Sequence, residues 1–175
     1  MAMRQDDVPP SFVPLLSSFG IGESTEDPAE YALGLLHDPL LKRGGFLASA
    51  RHCNSAGLIH GGVLATFADY VLFVCSRGTF DAPGYAGGVT AQLNLNFVGN
   101  VPAGRWVEGE GEVVANTSSL VFVRGKIFTF EFAVGQFPVH GEKRRRKTLA
   151  TFDGIIKKLR PRKKITKTVD GRSNL

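Results

Sequence analysis

The most apolar segment of the chain covers residues 60–77 and predicts a buried helix. Val63, Phe67, Leu72 and the other large side chains of this segment point to nearly every face of a helix. Such a pattern is typical of a helix that other structure encloses. Its longest apolar stretch, residues 63–75, is too short to span a bilayer and contains one carboxylate, Asp69. We therefore expect a buried helix and no membrane-spanning segment.

Most of the remaining chain predicts antiparallel strands. In residues 90–97 apolar and polar side chains alternate, which predicts a strand with Leu93 and Leu95 on one face and Thr90 on the other. Asn94 and Asn96 lie on the same polar face. They either make hydrogen bonds there or form a solvated surface. Further strands are predicted over residues 46–51, 106–115, 120–134 and 148–156, with a turn at 116–119 and a loop at 135–147.

One helix followed by several antiparallel strands predicts a single α+β domain. Glycine alternates with glutamate in residues 106–115, and the small face of this strand would let a helix pack closely. An N-terminal segment, residues 1–42, precedes the domain and contains a short helix over residues 28–36, because Asp27 followed by Pro28 suits a helix start. A basic tail without regular structure, residues 159–175, follows.

Length and composition agree with one domain. A chain of 175 residues with 43% hydrophobic side chains can bury a core without disulfides or metals. Cys53 and Cys75 form no Cys-x-x-Cys pair and are predicted to be reduced thiols of an intracellular protein. The N-terminal residues show neither a secretory signal nor a transit peptide. We expect a cytoplasmic protein, with the mitochondrial matrix as an open alternative.

Positive charge is concentrated near the C-terminus. Residues 143–167 hold 12 of the 21 lysine and arginine side chains, whereas the whole chain has 16 acidic ones. This polarity predicts an anionic ligand. Nucleic-acid binding is not expected, because no aromatic side chains interleave with the basic run 143–147. A solvated hairpin end is the other interpretation of that run.

Two groups of the central helix suggest carbonyl chemistry. Gly61 and Gly62 open the helix, so their backbone N–H groups can bind a carbonyl oxygen that gains negative charge. Asp69 lies eight residues later, roughly 12 Å along the same helix. One helix cannot present both groups to one carbon, but two antiparallel copies can. The sequence therefore predicts a symmetric dimer with composite active sites.

These residues resemble a known signature. The motif reads Asn54, Gly57, His60, Gly61-Gly62 and Asp69, and the strand of residues 87–97 follows it. It is similar to the PaaI-like branch of the hotdog-fold acyl-CoA thioesterases, in the 4-hydroxybenzoyl-CoA thioesterase superfamily. The resemblance covers about residues 43–158. It implies a single hotdog domain, with an antiparallel sheet wrapped around the long central helix, that hydrolyses acyl-CoA as a homodimer and pairs further into a homotetramer.

The resemblance also implies the catalytic roles. The Gly61 N–H would polarise the thioester carbonyl. Asp69 of the partner subunit would act as general base or as nucleophile, and the two alternatives stay open. Asn54 and Thr90 would position the thioester and the water. Each role has an alternative without function. Asn54 would then only shape the turn, Thr90 would be an ordinary threonine of a strand, and Asp69 would be an acid on the helix surface.

Other residues are predicted to bind the substrate. His60 would orient groups at the helix start, next to Gly62, rather than act as a base. Coenzyme A phosphates are expected to contact Arg144, Arg145 and Arg146. The hydrolysis that the resemblance implies requires no cofactor. No metal is expected, because the four histidines lack zinc-site spacing. The absence of Gly-x-Ser-x-Gly argues against a serine hydrolase.

Two other functions remain open at this point. A hotdog dimer could bind acyl-CoA without turning it over, although such a protein would not need Asp69. A hotdog dehydratase or hydratase is less favoured, because neither an Asp-x4-His nor a His-Phe-Pro pattern is present.

Overall fold

A computed structural model describes residues 35–80, 87–130 and 145–160. These residues form one long helix and one six-stranded antiparallel sheet, which confirms the predicted α+β class. The elements are β1 (Leu36–Asp38), β2 (Arg43–Leu47), a 3-10 turn (Ala50–His52), α1 (Gly61–Cys75), β3 (Gly88–Phe97), β4 (Trp106–Asn116), β5 (Leu120–Phe130) and β6 (Arg146–Lys158). The sheet order is β1-β2-β4-β5-β6-β3, so β3 is an edge strand.

The helix α1 packs against the sheet and forms the core with it. The most buried side chains of α1 include Leu64, Phe67, Val71 and Leu72. They belong to one cluster with strand residues that turn toward the helix, among them Val107, Val123, Ile127, Phe152 and Ile156. The predicted buried helix is therefore confirmed. Within the described residues, no helix has both the length and the hydrophobicity that a membrane crossing requires.

One stripe of α1 is less buried than the rest. Gly62 and Thr66 are exposed, and Asp69 and Phe73 are half-buried. Because these residues are three or four positions apart, they lie on one side of the helix. The only carboxylate of α1 therefore lies on the side that the core does not cover.

Glycines on β4 let the helix lie close to the sheet. A Cβ atom on Gly109 would lie 2.5 Å from Cγ2 of Val71, and one on Gly111 would lie 3.1 Å from Sγ of Cys75. The small face predicted for this strand is confirmed. Burial raises the pKa of the Cys75 thiol to about 12, so this thiol stays protonated at neutral pH.

We expect Gly109→Ala to lower the free energy of unfolding by about 1–3 kcal/mol, the usual cost of overpacking a core. The added methyl group would collide with Val71 unless the helix or the strand moves. Denaturant unfolding of the variant and the wild type measures the change, and the midpoint should fall with an unchanged slope. An unchanged midpoint would show that α1 can shift away from β4 at no cost.

The strand β2 begins before its predicted start. The prediction placed a strand at residues 46–51, whereas Arg43, Gly44 and Gly45 already pair in the sheet and residues 50–52 form the 3-10 turn. Glycine is disfavoured in strands, so the sequence pattern did not predict a strand at Gly44 and Gly45. Packing explains the glycine: a Cβ on Gly44 would lie 3.1 Å from side-chain atoms of both Phe67 and Val71.

The sheet also extends before the predicted domain start at residue 43. Leu36–Asp38 pairs with β2, so the helix predicted over residues 28–36 does not reach Leu36. The rest of that helix, most of the N-terminal segment, residues 131–144 and the tail beyond residue 160 lie outside the described residues. At the other end, β6 begins at Arg146, two residues before its predicted start.

An irregularity in β3 reverses one predicted side-chain orientation. The register with β6 shifts between Thr90 and Gln92, which makes Ala91 an extra residue, a β-bulge. After the bulge, Leu93 packs against the core and Asn94 is exposed, as predicted. Thr90 turns toward α1 as well. The prediction that Thr90 and Leu93 lie on opposite faces is wrong, because the bulge changes the alternation by one residue.

Candidate functional site

The N-terminus of α1 offers one backbone donor. His60 is the N-cap residue, and its Nδ1 accepts a hydrogen bond of 2.9 Å from the Gly62 N–H. The Gly61 N–H makes no hydrogen bond within the described part of the chain. Of the two glycines, Gly61 is therefore the one whose N–H can bind a ligand oxygen. Because Nδ1 of His60 already accepts a hydrogen bond, this nitrogen caps the helix start and is not available as a base.

Asn54 shapes the turn that leads into this helix. Its Oδ1 accepts hydrogen bonds from the backbone N–H groups of Ala56, at 3.0 Å, and Leu58, at 3.2 Å. The turn-shaping interpretation is thus correct, but it does not exclude the functional one. Both bonds use the amide oxygen, which leaves the Nδ2 group to donate elsewhere. Asn54 is exposed, so that donor is accessible.

Asp69 and Thr90 contact each other. The Thr90 hydroxyl donates a hydrogen bond of 2.6 Å to Oδ1 of Asp69. The bulge at Ala91 makes this contact possible, because it turns Thr90 toward the helix. A hydroxyl bonded to one carboxylate oxygen fixes the side chain and leaves Oδ2 for another group. The residue predicted to hold a water thus holds the carboxylate in this structure.

The predicted catalytic residues form two separate groups in one chain. Gly61 and Asn54 lie at the start of α1, whereas Asp69 and Thr90 lie roughly 12 Å along it. The strand β3 connects the two groups, because Thr90 near its start contacts Asp69 and Phe97 at its end lies beside Gly61. Neither group alone has both an oxyanion donor and a carboxylate.

Phe97 lies beside the helix start, although the sequence did not single it out as a candidate. A Cβ atom on Gly61 would lie 3.4 Å from Cζ of Phe97, so the ring lies directly against the helix start. Phe97 is 55% exposed. In the sequence, Phe97 is the last apolar residue of the alternating strand, and this position predicts burial rather than contact with a site.

The basic run is only partly described. Arg146 begins β6, pairs with Glu110 at 2.7 Å and covers the ring of Phe128 at 4.4 Å from its centroid. These contacts lie on the face of the sheet opposite α1. Arg145 is exposed, and Arg144 lies outside the described residues. The structure therefore places Arg146 in an ion pair and not beside Gly61 or Asp69.

The outer face of the sheet carries a polar row and a groove. Asn94, Asp153, Arg124 and Glu112 are neighbours on four adjacent strands, and Asn94 donates a hydrogen bond to Asp153 at 2.8 Å. Asn94 on the polar face of β3 therefore makes a hydrogen bond, one of the two interpretations given for it. A groove of about 580 Å³ beside this row is lined by none of the predicted site residues. Among the described residues, no cluster of histidine, cysteine, aspartate and glutamate could hold a metal ion.

Comparisons with known proteins agree with this architecture. Residues 56–132 match the model of the thioesterase superfamily, and this segment contains α1 and the strands β3 to β5. No curated protein sequence matches the chain.

Several solved structures have the same fold. One is the PaaI protein of the Escherichia coli phenylacetic acid degradation operon. It matches with a TM-score of 0.58 and 18% identity, over 77% of this chain and 86% of the other. A hypothetical thioesterase from Streptococcus pneumoniae, solved with coenzyme A, has a TM-score of 0.53, 17% identity and coverage of 69% and 80%. A Streptococcus mutans protein bound to acetyl CoA has a TM-score of 0.51, 18% identity and coverage of 69% and 82%. The chain therefore has the hotdog fold, and its resemblance to the PaaI-like branch of the thioesterase superfamily is confirmed.

Proposed function

We propose that the protein hydrolyses acyl-CoA thioesters to a free acid and coenzyme A. The observation that supports this most directly is the hydrogen bond from Thr90 to Asp69, which holds a carboxylate on the less buried side of α1. The second element is the Gly61 N–H at the helix start. A positioned carboxylate and an oxyanion donor are the two groups that thioester hydrolysis needs.

The two groups would meet in a dimer. The strand β3 is an edge strand with a free side in the described chain, and it runs antiparallel to α1, since Thr90 lies near Asp69 and Phe97 near Gly61. Antiparallel pairing of two β3 strands about a two-fold axis near Leu93 places the Thr90 of one subunit beside Phe97 of the partner subunit. Asp69 then faces Gly61 of the partner subunit, in two equal sites. Pairing would also cover an exposed strand edge, which favours association.

In such a site each group has one task. The Gly61 N–H binds the carbonyl oxygen and stabilises its negative charge as the tetrahedral intermediate forms. Asp69 either takes a proton from the attacking water or attacks the carbonyl carbon itself, and water then hydrolyses the resulting anhydride. The carbon–sulfur bond breaks in both routes. In the first, the proton that Asp69 took from water passes to the leaving sulfur. In the second, coenzyme A leaves as a thiolate, and the proton freed by hydrolysis of the anhydride balances the charge. Asn54 donates from Nδ2 to the thioester or to the water.

A second function is an acyl-CoA-binding hotdog protein without turnover. The coenzyme A and acetyl CoA named for the streptococcal structures agree with either function. The carboxylate held by Thr90 favours hydrolysis, because binding alone does not need it. Incubating the purified protein with short, medium, long and aryl acyl-CoAs and a thiol reagent decides between them. Release of coenzyme A supports hydrolysis, whereas binding without release supports the alternative.

We expect Thr90→Val to lower the turnover number by about 10- to 100-fold, because a hydrogen bond to a charged group contributes about 1.5–3 kcal/mol. Thr90→Ser keeps the hydroxyl and should retain most of the activity. Steady-state kinetics of both variants measure the effect, with the change expected in turnover more than in the Michaelis constant. Equal activity of the valine variant and the wild type would mean that Asp69 needs no positioning by Thr90.

The coenzyme A phosphates remain assigned to the basic run. Arg146 can contribute only by leaving Glu110, so the test neutralises Arg144 and Arg145 by substitution with glutamine. We expect the Michaelis constant for acyl-CoA to rise about 2- to 30-fold, from about 0.2–1 kcal/mol for each exposed ion pair. Arg124→Gln, on the outer face of the sheet, serves as the control. Should both proteins show the wild-type constant at low salt, the run is a solvated hairpin end.

A further inference from the structure

An aromatic pair lies next to Asp69 between α1 and the start of β3. Phe73 follows Asp69 by four residues, so it lies on the same side of α1, about 6 Å further along. Its ring stacks on that of Phe80, with the ring centroids 6.4 Å apart and the planes inclined by 27°. Both side chains are half-buried and pack against the edge of the core. The carboxylate therefore has aromatic rings on one side.

Phe80 of this pair packs against the first residue of β3. A Cβ atom on Gly88 would lie 3.0 Å from Cε1 of Phe80 and 2.6 Å from Cγ2 of Ile156. Thr90, which holds Asp69, is two residues further along the same strand. Ile156 and Phe80 together leave no room for a methyl group at Gly88, so Phe80 lies directly against the start of the strand that carries Thr90.

The two ends of the proposed site differ in polarity. Asn54, His60 and Gly62 are exposed at the helix start, which suits the polar and charged coenzyme A. Phe73 and Phe80 offer half-buried apolar surface at the other end, which suits an acyl group that leaves water. A substrate whose carbonyl lies between Gly61 of the partner subunit and Asp69 would thus direct its acyl group toward the rings.

We propose that Phe73 and Phe80 form the wall at which the acyl group ends, and that this wall limits acyl length. The inference rests on the proposed function for its substrate. An acyl group that starts beside Asp69 meets Phe73 after about 6 Å, the rise of four helical residues. Short groups fit in front of the rings, and longer groups must displace them. The wall belongs to the subunit that supplies the carboxylate.

The test uses Phe73→Ala and Phe80→Ala with two series of ligands from acetyl to palmitoyl. Thioether analogues of acyl-CoA, which cannot be hydrolysed, report dissociation constants, and the matching thioesters report kcat/KM. We expect both variants to gain at least ~10-fold for long over short acyl groups relative to the wild type, since each methylene in an apolar pocket changes selectivity by about that factor or more. Phe73→Leu, which removes less volume, should shift the profile in the same direction by a smaller factor.

Phe122→Ala is the matched control, because Phe122 is a partly exposed phenylalanine in the groove on the opposite face of the sheet. It should keep the wild-type length profile, and thermal unfolding identifies any variant that does not fold. Folded Phe73 and Phe80 variants with the wild-type profile overturn the inference. A wild type that binds the analogues but hydrolyses no thioester contradicts the proposed hydrolysis alone, since the binding series still tests the wall. A wild type that binds no analogue overturns both.

Discussion

Asp69→Asn is expected to lower the turnover number for acyl-CoA hydrolysis by about 10²–10⁴-fold, the usual effect of losing a positioned base. Asparagine has nearly the same shape, and its side-chain oxygen can still accept the hydrogen bond from Thr90. The variant therefore keeps the geometry and loses only the negative charge. Both open mechanisms need that charge, whether the carboxylate attacks the carbonyl or takes a proton from water.

Asp153→Asn provides the matched control for this experiment. Asp153 is an exposed aspartate on the outer face of the sheet, where it accepts a hydrogen bond from Asn94. The same chemical change at this position should leave turnover unchanged. Kinetics with a thiol reagent and thermal unfolding of both variants complete the comparison. A folded Asp69→Asn protein with wild-type turnover would falsify the proposed mechanism.

Mixing two inactive variants is expected to restore activity if the sites are composite. Asp69→Ala removes the carboxylate, and Asn54→Asp removes the Nδ2 donor while its oxygen can still accept the two bonds of the turn. A heterodimer of the two contains one site with both defects and one intact site. It should therefore show about half the activity of a wild-type dimer, which has two equal sites.

A second mixture controls for this result. Asp69→Ala and Thr90→Val affect the same half of the site, so each site of their heterodimer carries one defect. The site without the carboxylate should be inactive, so this mixture should show at most about half the activity of the Thr90→Val dimer. Heterodimers are verified with two affinity tags after exchange of subunits. Activity that fails to return in verified heterodimers of the first mixture places both groups of a site in one chain.

Local sequence patterns determined most of the fold. The all-round apolar segment predicts the buried helix because enclosure removes any need for a polar face, and its start follows from His60 and the two glycines. Strand alternation likewise predicts β3 to β6 to within a few residues, apart from the last predicted residues of β5, which lie outside the described part. The pattern failed at β2, because the same glycines that allow close packing of α1 lower the strand signal. It also misplaced Thr90, because a bulge arises from pairing with β6 and leaves no local trace.

The candidate site divides in the same way. The sequence alone predicted which residues would carry the chemistry: the backbone N–H groups of a helix start and one carboxylate in an apolar helix. Only the tertiary structure decided which side chains meet. It placed Thr90 on Asp69, Phe97 on Gly61 and Phe80 on Phe73, and it held Arg146 on Glu110. Most of these contacts join residues far apart in the chain, so they depend on strand register and helix packing, which no single segment specifies.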